Sequence, residues 1–239
     1  MNLLINGIKG KMGNIIKELA IKDVYWSNVY GLCKDTPMPK DDIEFDVLVD
    51  FTHESALDKV LEIGLSRNLP IIIGTTGYSK EQLENINKAA ATIPILYATN
   101  MSLGMNLLFA LVEKTAEILG DNVDIEVIEA HHNRKKDAPS GSAVTIIESI
   151  EKGLGSIRKH QYGRVGECPR EKGEIGVHAI RGGNIAGYHE IDFINELESI
   201  KICHEAYDRK VFANGALEAA KFIINKEPGL YSMKDILKI

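Results

Sequence analysis

The chain has 239 residues, of which 44% are hydrophobic and 26% charged, with a formal net charge of −6. This composition excludes a disordered or low-complexity chain, and the acidic balance argues against nucleic acid as a partner. Three widely spaced cysteines without a CxxC pair, no apolar run long enough for a membrane span and no leader segment together predict a cytoplasmic protein.

The first predicted elements are a buried strand and a glycine-rich turn. The apolar run Leu3-Leu4-Ile5 leads into glycines at positions 7, 10 and 13, after which apolar residues recur at helical spacing. Glycine in a strand-to-helix turn lets a pyrophosphate approach the backbone, and the helix N-terminus attracts its charge. The pattern favours a dinucleotide site, with an ordinary strand-to-helix turn as the alternative.

A second strand is predicted over residues 24–32, and it ends at Cys33 and Lys34. At this point NAD-binding folds carry an acidic residue for the adenosine ribose, whereas a basic residue accepts the 2′-phosphate of NADP. Cys33 stands at the position of the acid and Lys34 follows it. The sequence therefore leaves both NADH and NADPH open.

Further apolar strands alternate with helices up to residue 119. The predicted strands cover 46–51, 70–73 and 93–98, and the predicted helices cover 54–67, 79–91 and 103–119. This alternation predicts a doubly wound parallel sheet. Ligands of such sheets bind beyond the carboxyl ends of the strands, so Gly74-Thr75-Thr76 and residues 98–101 are expected near a nicotinamide and its ribose. The alternative for each loop is a polar strand end without a ligand.

The densest group of chemically active residues follows a half-buried strand predicted over 123–130. Two adjacent histidines, His131 and His132, come after the strand, and three cations follow at positions 134–136. The histidine pair could bind a metal, but no HxxxH pattern or cysteine is nearby, and the cations alone would be a solvated face. An imidazole beside a lysine instead suits a small acidic substrate that needs a proton.

A turn and a helix start follow this basic run. The proline of Asp137-Ala138-Pro139 disfavours helical backbone at the residue before it, and Ser140-Gly141-Ser142 then begins an apolar helix. A helix N-terminus exposes unpaired amides and a partial positive charge. Residues 140–142 are therefore a natural seat for a carboxylate or a phosphate.

Beyond residue 150 the pattern changes to strands separated by turns. After a long loop over 151–173, strands are predicted over 176–181, 187–194 and 199–206, in an antiparallel meander. A final helix that begins at Val211 is expected to return to the first domain. The predicted fold class is α/β, with a Rossmann-like doubly wound parallel sheet plus a second α+β domain that has a largely antiparallel sheet.

The segment around the two histidines resembles the signature of the dihydrodipicolinate reductase family. The matching residues are Glu129-Ala130-His131-His132, Lys135 and Asp137-Ala138-Pro139-Ser140-Gly141. The resemblance extends in family order through Asp50-Phe51-Thr52, Gly74-Thr75-Thr76-Gly77, Asn100-Met101-Ser102, Arg181-Gly182-Gly183 and Phe212-Ala213-Asn214-Gly215-Ala216. Ser142 replaces the more usual threonine, and Met101 stands where Phe or Tyr is frequent.

The resemblance implies reduction of 4-hydroxy-tetrahydrodipicolinate, a cyclic dicarboxylate of the diaminopimelate route to lysine, with NADH or NADPH, by a homotetramer. Residues 1–102 and 210–239 would form the dinucleotide-binding domain, and residues 103–209 the domain for substrate binding and oligomerisation. By analogy His131 is the proton donor or acceptor, and Lys135 is the second acid. The implied contacts to substrate carboxylates are His132, Gly141, Ser142 and Arg209. The implied cofactor contacts are Gly7, Ile8, Lys9, Gly10, Lys11, Met12, Cys33, Lys34, Gly74, Thr75, Thr76, Ala98, Thr99, Asn100 and Met101, and no metal is implied.

Two other functions fit parts of the sequence. A semialdehyde dehydrogenase of related fold would need a nucleophilic cysteine, and neither Cys168 nor Cys203 is expected in a loop with a histidine partner. A non-catalytic NADP(H)-sensing protein would keep the fold without the proton chemistry. The presence of His131, Lys135 and Gly141 argues against a sensor.

Overall fold

The computed structural model describes residues 1–33 and 43–239, which form two compact units. The first unit comprises Met1–Leu103 and Arg209–Ile239, and the second comprises Gly104–Asp208. Leu103 and Arg209 fall in the first unit, whereas the domain bounds implied by the family resemblance assign them to the second domain, and those bounds stay a prediction. Within the described residues, no helix combines the length and the apolar character needed to cross a membrane.

The strands and helices are, in chain order, β1 (Asn2–Asn6), α1 (Lys11–Ala20), β2 (Asn28–Leu32), β3 (Val47–Asp50), α2 (Leu57–Arg67), β4 (Ile71–Ile73), α3 (Lys80–Ala90), β5 (Pro94–Tyr97), α4 (Leu103–Leu119), β6 (Asp124–His131), α5 (Gly141–Leu154), β7 (His160–Tyr162), β8 (Ile175–Arg181), β9 (Gly187–Ile194), β10 (Ser199–Ala206), α6 (Lys210–Ile223), β11 (Gly229–Tyr231) and α7 (Met233–Leu237).

The first unit is built on a six-stranded parallel sheet in the order β11-β5-β4-β3-β1-β2. Its strands are apolar on both faces because α1 and α6 pack on one face and α2 and α3 on the other. The predicted doubly wound α/β sheet is confirmed. The strand order reverses between β3 and β1, the place where sheets of this kind bind their ligands.

One local prediction for the first unit differs from the structure, and two short elements were not predicted. Strand β2 begins at Asn28 rather than at residue 24, because a turn forms in which the Trp26 amide donates to the Asp23 carbonyl. The Trp26 side chain is buried in the core, which keeps this segment out of the sheet. Two short elements after the final helix, β11 and α7, carry too few residues for a periodic pattern and were not predicted.

The second unit has a five-stranded mixed sheet in the order β10-β9-β6-β8-β7, with α4 and α5 packed on one face. Strand β9 pairs antiparallel with β10 and β6, whereas β8 pairs parallel with β6 and β7. Most paired residues are antiparallel, as predicted, but the predicted meander is wrong because only β9 and β10 form a hairpin. Strand β6 lies between β8 and β9, so Gly182-Gly183-Asn184 belongs to a connection across β6 and not to a hairpin turn.

The predicted long loop over 151–173 is also partly regular. Helix α5 continues to Leu154 and ends at Gly155, whose left-handed backbone closes it. Strand β7 then adds three polar residues to the edge of the sheet. So short and polar a strand has no alternating apolar pattern, which is why the sequence does not reveal it.

Candidate active site

Strand β6 carries core residues and chemically active residues on the same face. Alternate residues of a strand share a side, so Ile125, Val127, Glu129 and His131 point the same way. Ile125 and Val127 are buried in the core with residues of α4 and α5, and the same side turns polar at the carboxyl end of the strand. Glu129 and His131 are therefore held by a strand that is packed into the core of the second unit.

The carboxylate of Glu129 is fully buried and accepts hydrogen bonds from three residues. Arg181 donates a bidentate pair at 2.8 and 2.7 Å, the Ser140 amide donates at 3.0 Å, and His131 Nδ1 lies at 2.6 Å. Burial by itself raises the pKa of Glu129, but the hydrogen bonds from His131, Arg181 and Ser140 outweigh it and lower the pKa to about 2. Glu129 is therefore ionised at neutral pH.

The imidazole of His131 is held in one tautomer by Glu129. An ionised carboxylate can only accept hydrogen bonds, so Nδ1 of His131 donates to it, and Nε2 is the nitrogen left for proton exchange. On the neighbouring strand β9, a Cβ added to Gly187 would lie 3.3 Å from His131 Nε2. Glycine at this position keeps the space beside Nε2 free of a side chain.

The residues after His132 form a turn in which two of the three cations have partners. Lys135 Nζ pairs with Asp137 Oδ2 at 2.8 Å, and this contact lowers the pKa of Asp137. Arg134 donates to Asn184 Oδ1 at 2.9 Å, in the connection between β8 and β9. The basic run is therefore built into the turn and is not merely a solvated face.

Helix α5 begins beside Glu129 and carries the predicted serine cap. Ser140 Oγ accepts the Ala143 amide at 3.2 Å, and the preceding Ala138–Pro139 peptide bond is cis. A Cβ added to Gly141 would meet no described atom within 4 Å, so the backbone borders open space at this point. The first turn of α5 thus presents main-chain amides next to room for a ligand.

The other predicted substrate residues are divided between the two units. His132 and Ser142 are partly buried in the second unit, close in sequence to the turn. Arg209 is exposed and belongs to the first unit, so its contact with a carboxylate stays a prediction. Across residues 1–33 and 43–239, no cluster of three or more His, Cys, Asp or Glu side chains is arranged to hold a metal ion.

In the first unit the glycine turn connects β1 to α1. Gly7 has a φ of +79°, which side-chain-bearing residues rarely adopt, and a Cβ on it would lie 2.6 Å from Thr52 Cγ2. A Cβ on Gly13 would overlap the Gly7 carbonyl, so α1 packs closely against the turn. The helix begins at Lys11 with Gly10 as its N-cap and no side-chain cap, which leaves its first amides available to an anion. The predicted residues Ile8, Lys9 and Met12 lie in the same turn or in the first turn of α1.

A buried carboxylate joins the strand ends around this turn. Asp50, at the end of β3, accepts hydrogen bonds from Asn6 Nδ2 at 2.7 Å, the Thr52 hydroxyl at 2.7 Å and the Thr75 hydroxyl at 2.6 Å. Thr75 Oγ1 in turn accepts the Thr52 amide at 2.9 Å. These side chains come from the ends of β1, β3 and β4, so Asp50 fixes the loops that carry predicted cofactor residues.

The remaining predicted cofactor residues lie at the ends of strands, and they differ in which of their atoms could contact a cofactor. A Cβ on Gly74 would overlap the Phe51 ring, so the ring lies directly on the backbone there. The Thr75 hydroxyl is engaged by Asp50, and the Met101 side chain is 2% exposed in the core, so either would reach a cofactor through main-chain atoms. The other predicted cofactor residues lie in loops: Thr76 follows β4, Ala98, Thr99 and Asn100 follow β5, and Cys33 follows β2. Lys34 lies outside the described residues.

No role is predicted from the sequence for four residues that hold the site together, Glu129, Arg181, Asp50 and His189, although the first three stand in the motifs that match the family. Glu129 and His131 are two residues apart in a predicted strand, and this spacing alone places them on one face. Arg181 is 52 residues from Glu129 and reaches it only because β6 pairs with β8, with His131 opposite Arg181. No local pattern identifies such a partner.

Comparisons with known proteins agree with one another. The family profile described as "Dihydrodipicolinate reductase, N-terminus" matches residues 1–101, and "Dihydrodipicolinate reductase, C-terminus" matches residues 104–237. The chain is 66% identical to 4-hydroxy-tetrahydrodipicolinate reductase of Alkaliphilus oremlandii over 241 residues, which cover 100% of this chain and 99% of the relative. The enzyme of the same name from Alkaliphilus metalliredigens is 62% identical over 237 residues, covering 99% of both chains. A solved structure of dipicolinate-bound dihydrodipicolinate reductase from Paenisporosarcina sp. TG-14 is 23% identical, covers 97% of both chains and has a TM-score of 0.77, which supports the fold.

Proposed function

The chain belongs to the dihydrodipicolinate reductase family, and from this membership we propose how its residues divide the reaction. The reaction is the reduction of 4-hydroxy-tetrahydrodipicolinate with NADH or NADPH, in diaminopimelate and lysine biosynthesis. One observation carries the assignment of roles: the buried Glu129 carboxylate lies 2.6 Å from His131 Nδ1 and leaves Nε2 for proton transfer. The sensor alternative loses its support, because reductases align over the full chain.

The first unit binds the dinucleotide in this proposal. The pyrophosphate lies at Gly7 to Met12, and the positive φ of Gly7 and the start of α1 without a side-chain cap support that position. The nicotinamide and its ribose lie near residues 74–76 and 98–101, at the carboxyl ends of β4 and β5. When bound, the reduced nicotinamide supplies the hydride. Cys33 and Lys34 are the candidates for the contact that decides between NADH and NADPH.

The second unit binds the dicarboxylate. Main-chain amides of Gly141 and Ser142, at the start of α5, receive one carboxylate, and the open space beside Gly141 supports this seat. Lys135, held 2.8 Å from Asp137, supplies a positive charge close to the histidines and serves as the second acid. His132 and Arg209 are further candidates, on the strength of the sequence resemblance.

The proton comes from His131 in this account. Loss of the 4-hydroxyl group as water gives a conjugated imine. Hydride addition to this imine leaves negative charge on the ring, and a proton placed at the right atom neutralises it. His131 donates this proton from Nε2 while Nδ1 keeps its hydrogen bond to Glu129. After the transfer the imidazole regains a proton from solvent.

Assembly and location complete the proposal. We expect a homotetramer formed through the sheet of the second unit, where Ile180 is exposed on the face of β8 opposite α4 and α5. Light scattering during gel filtration tests this assembly, and the mass of a single chain would contradict it. Cys33, Cys168 and Cys203 form no disulfide among the described residues, which supports a cytoplasmic location, and cell fractionation checks it.

The experiment that tests the roles is a comparison of two histidine variants. NADH or NADPH oxidation is followed optically while a coupled synthase generates the substrate from pyruvate and aspartate semialdehyde. We expect His131→Asn to lower kcat by about 100-fold, the lower end of what a placed general acid contributes, without changing the KM for NADH. The matched control is His160→Asn, since His160 also pairs with a glutamate, the partly buried Glu151, at 2.9 Å. Wild-type turnover by folded His131→Asn would refute the proton role of His131.

A further inference from the structure

A second histidine, His189, is buried behind His131 and has no role in the reaction as described so far. It lies on β9 opposite Glu129 of β6, with 3% of its surface exposed. Its Nε2 is 3.1 Å from Ser140 Oγ, and its ring centroid is 5.2 Å from that of His131, with the rings at 74°. His189 thus contacts both the cap of α5 and the ring of the proton donor.

A histidine at position 189 lowers the stability of the fold. Its Nδ1 is buried and has no hydrogen-bond partner among the described residues, and an unpaired buried nitrogen destabilises a protein. Burial, followed by the positive charge of His131, lowers the pKa of His189 to about 3, so the imidazole stays neutral at neutral pH. An apolar side chain of similar size would pack there without this cost, so stability does not account for a histidine.

The contact that histidine adds is the one to Ser140. The Ser140 hydroxyl oxygen already accepts the Ala143 amide at 3.2 Å, and its hydrogen is available to the Nε2 lone pair of a neutral His189. The Ser140 main-chain amide is fixed in addition by Glu129 at 3.0 Å. Ser140 is therefore held at its amide by Glu129 and at its hydroxyl by His189.

We propose that His189 is a positioning residue, whose Nε2 orients Ser140 and thereby the Gly141 and Ser142 amides that receive a substrate carboxylate. This inference rests on the carboxylate seat of the proposed function. His189 does not touch the substrate and exchanges no proton with it. Its effect is expected in the binding of the dicarboxylate and not in the binding of the coenzyme.

The test is a double-mutant cycle on the full chain with NADH bound, using His189→Leu, Ser140→Ala and the double variant. Calorimetry measures the Kd of dipicolinate, a stable planar dicarboxylate, and initial rates give the KM of substrate and of NADH. We expect His189→Leu to raise the dicarboxylate Kd and KM by about 3- to 10-fold, the range for one buried hydrogen bond. The KM for NADH and the melting temperature should stay unchanged. The dicarboxylate Kd of the double variant should be no higher than that of Ser140→Ala alone.

Two further variants separate positioning from packing. His189→Gln keeps a hydrogen-bonding atom near the position of Nε2 and should recover most of the lost affinity. His204→Leu removes the imidazole that pairs with His189 in the register of β10 with β9, one strand further from Ser140, and should leave the dicarboxylate Kd unchanged.

Four results would overturn the inference. Additive effects of His189→Leu and Ser140→Ala would show that His189 does not act through Ser140. A loss of melting temperature in His189→Leu that parallels the loss of affinity would show a packing role. If Ser140→Ala raises the dicarboxylate Kd and His189→Leu does not, the positioning role of His189 is refuted but the carboxylate seat at the start of α5 is retained. Unchanged Kd values in both variants would refute the carboxylate seat as well.

Discussion

Replacing Glu129 by glutamine removes one negative charge from the centre of the His131 network with almost no change in volume. The pKa of Glu129 is lowered from 4.5 to about 2 in the folded protein. Because a tenfold change in a proton-binding constant corresponds to about 1.4 kcal/mol, the ionised carboxylate contributes on the order of 3 kcal/mol to stability at neutral pH. Glutamine also cannot accept from Arg181, His131 and Ser140 together, so the preferred tautomer of His131 is lost.

The sign of the pH dependence follows from the lowered pKa of Glu129. A carboxylate whose pKa is lower in the folded state stabilises the fold above its unfolded pKa, here 4.5. This contribution fades as the pH falls from about 4.5 through about 2. The stability difference between wild type and Glu129→Gln should therefore be about 3 kcal/mol at pH 7 and should narrow below pH 4.5.

Urea unfolding of both proteins from pH 7 downwards measures this difference, and the coupled assay gives kcat, which should fall by about 100-fold. The matched control is Glu126→Gln, on the same strand. Glu126 forms ion pairs with Arg170 and His178 but has no contact with His131. Its replacement should cost less stability, since Glu126 is partly exposed, and should leave kcat unchanged. Equal effects of the two substitutions on kcat, or a stability difference that does not narrow in acid, would show that the reasoning is wrong.

Three other substitutions have separate expected outcomes. Gly187→Ala places a methyl group 3.3 Å from His131 Nε2 and should lower kcat several-fold, with a nearly unchanged melting temperature as the control measurement. Asp50→Asn weakens the hydrogen bonds that join β1, β3 and β4; fluorescence titration should show a Kd for NADH raised about 10-fold, while the KM for the dicarboxylate stays the same. Asp137→Asn removes the ion-pair partner of Lys135 and leaves the ammonium group to the substrate, so the KM for the dicarboxylate should fall. The fall should be no more than about 3-fold because Asp137 is largely exposed. A raised KM would contradict the role of Lys135 as a cation for the substrate.

The fold of the first unit was predictable because its signals are local. Buried parallel strands such as Ile71–Ile73 are apolar on both faces, and the glycine turn at Gly7 marks the first strand-to-helix junction. The sheet of the second unit was harder. Its central strand β6 lies between β8 and β9, which follow each other in the sequence, and the strand sequences contain no information on which side of β6 each of them joins.

The candidate site shows the same division between local and tertiary information. The Ser140 cap and the shared face of Glu129 and His131 follow from spacing along the chain. Arg181 and His189 reach Glu129 and Ser140 through strand pairing, which places residues about 50 positions apart in contact. The sequence therefore proposes residues for the chemistry, which stay predictions, and gives no sign of the tertiary partners that orient them.

The proposed proton transfer depends on the contact between Glu129 and His131, which would keep Nδ1 protonated and leave Nε2 to exchange the catalytic proton. Nitrogen-15 NMR of the histidine-labelled protein measures this directly, with the His131 signals assigned by their absence from His131→Asn. We expect Nδ1 to keep its proton throughout a pH titration, while only Nε2 gains and loses one. A neutral form of His131 protonated at Nε2, with a bare Nδ1 facing Glu129, would contradict it.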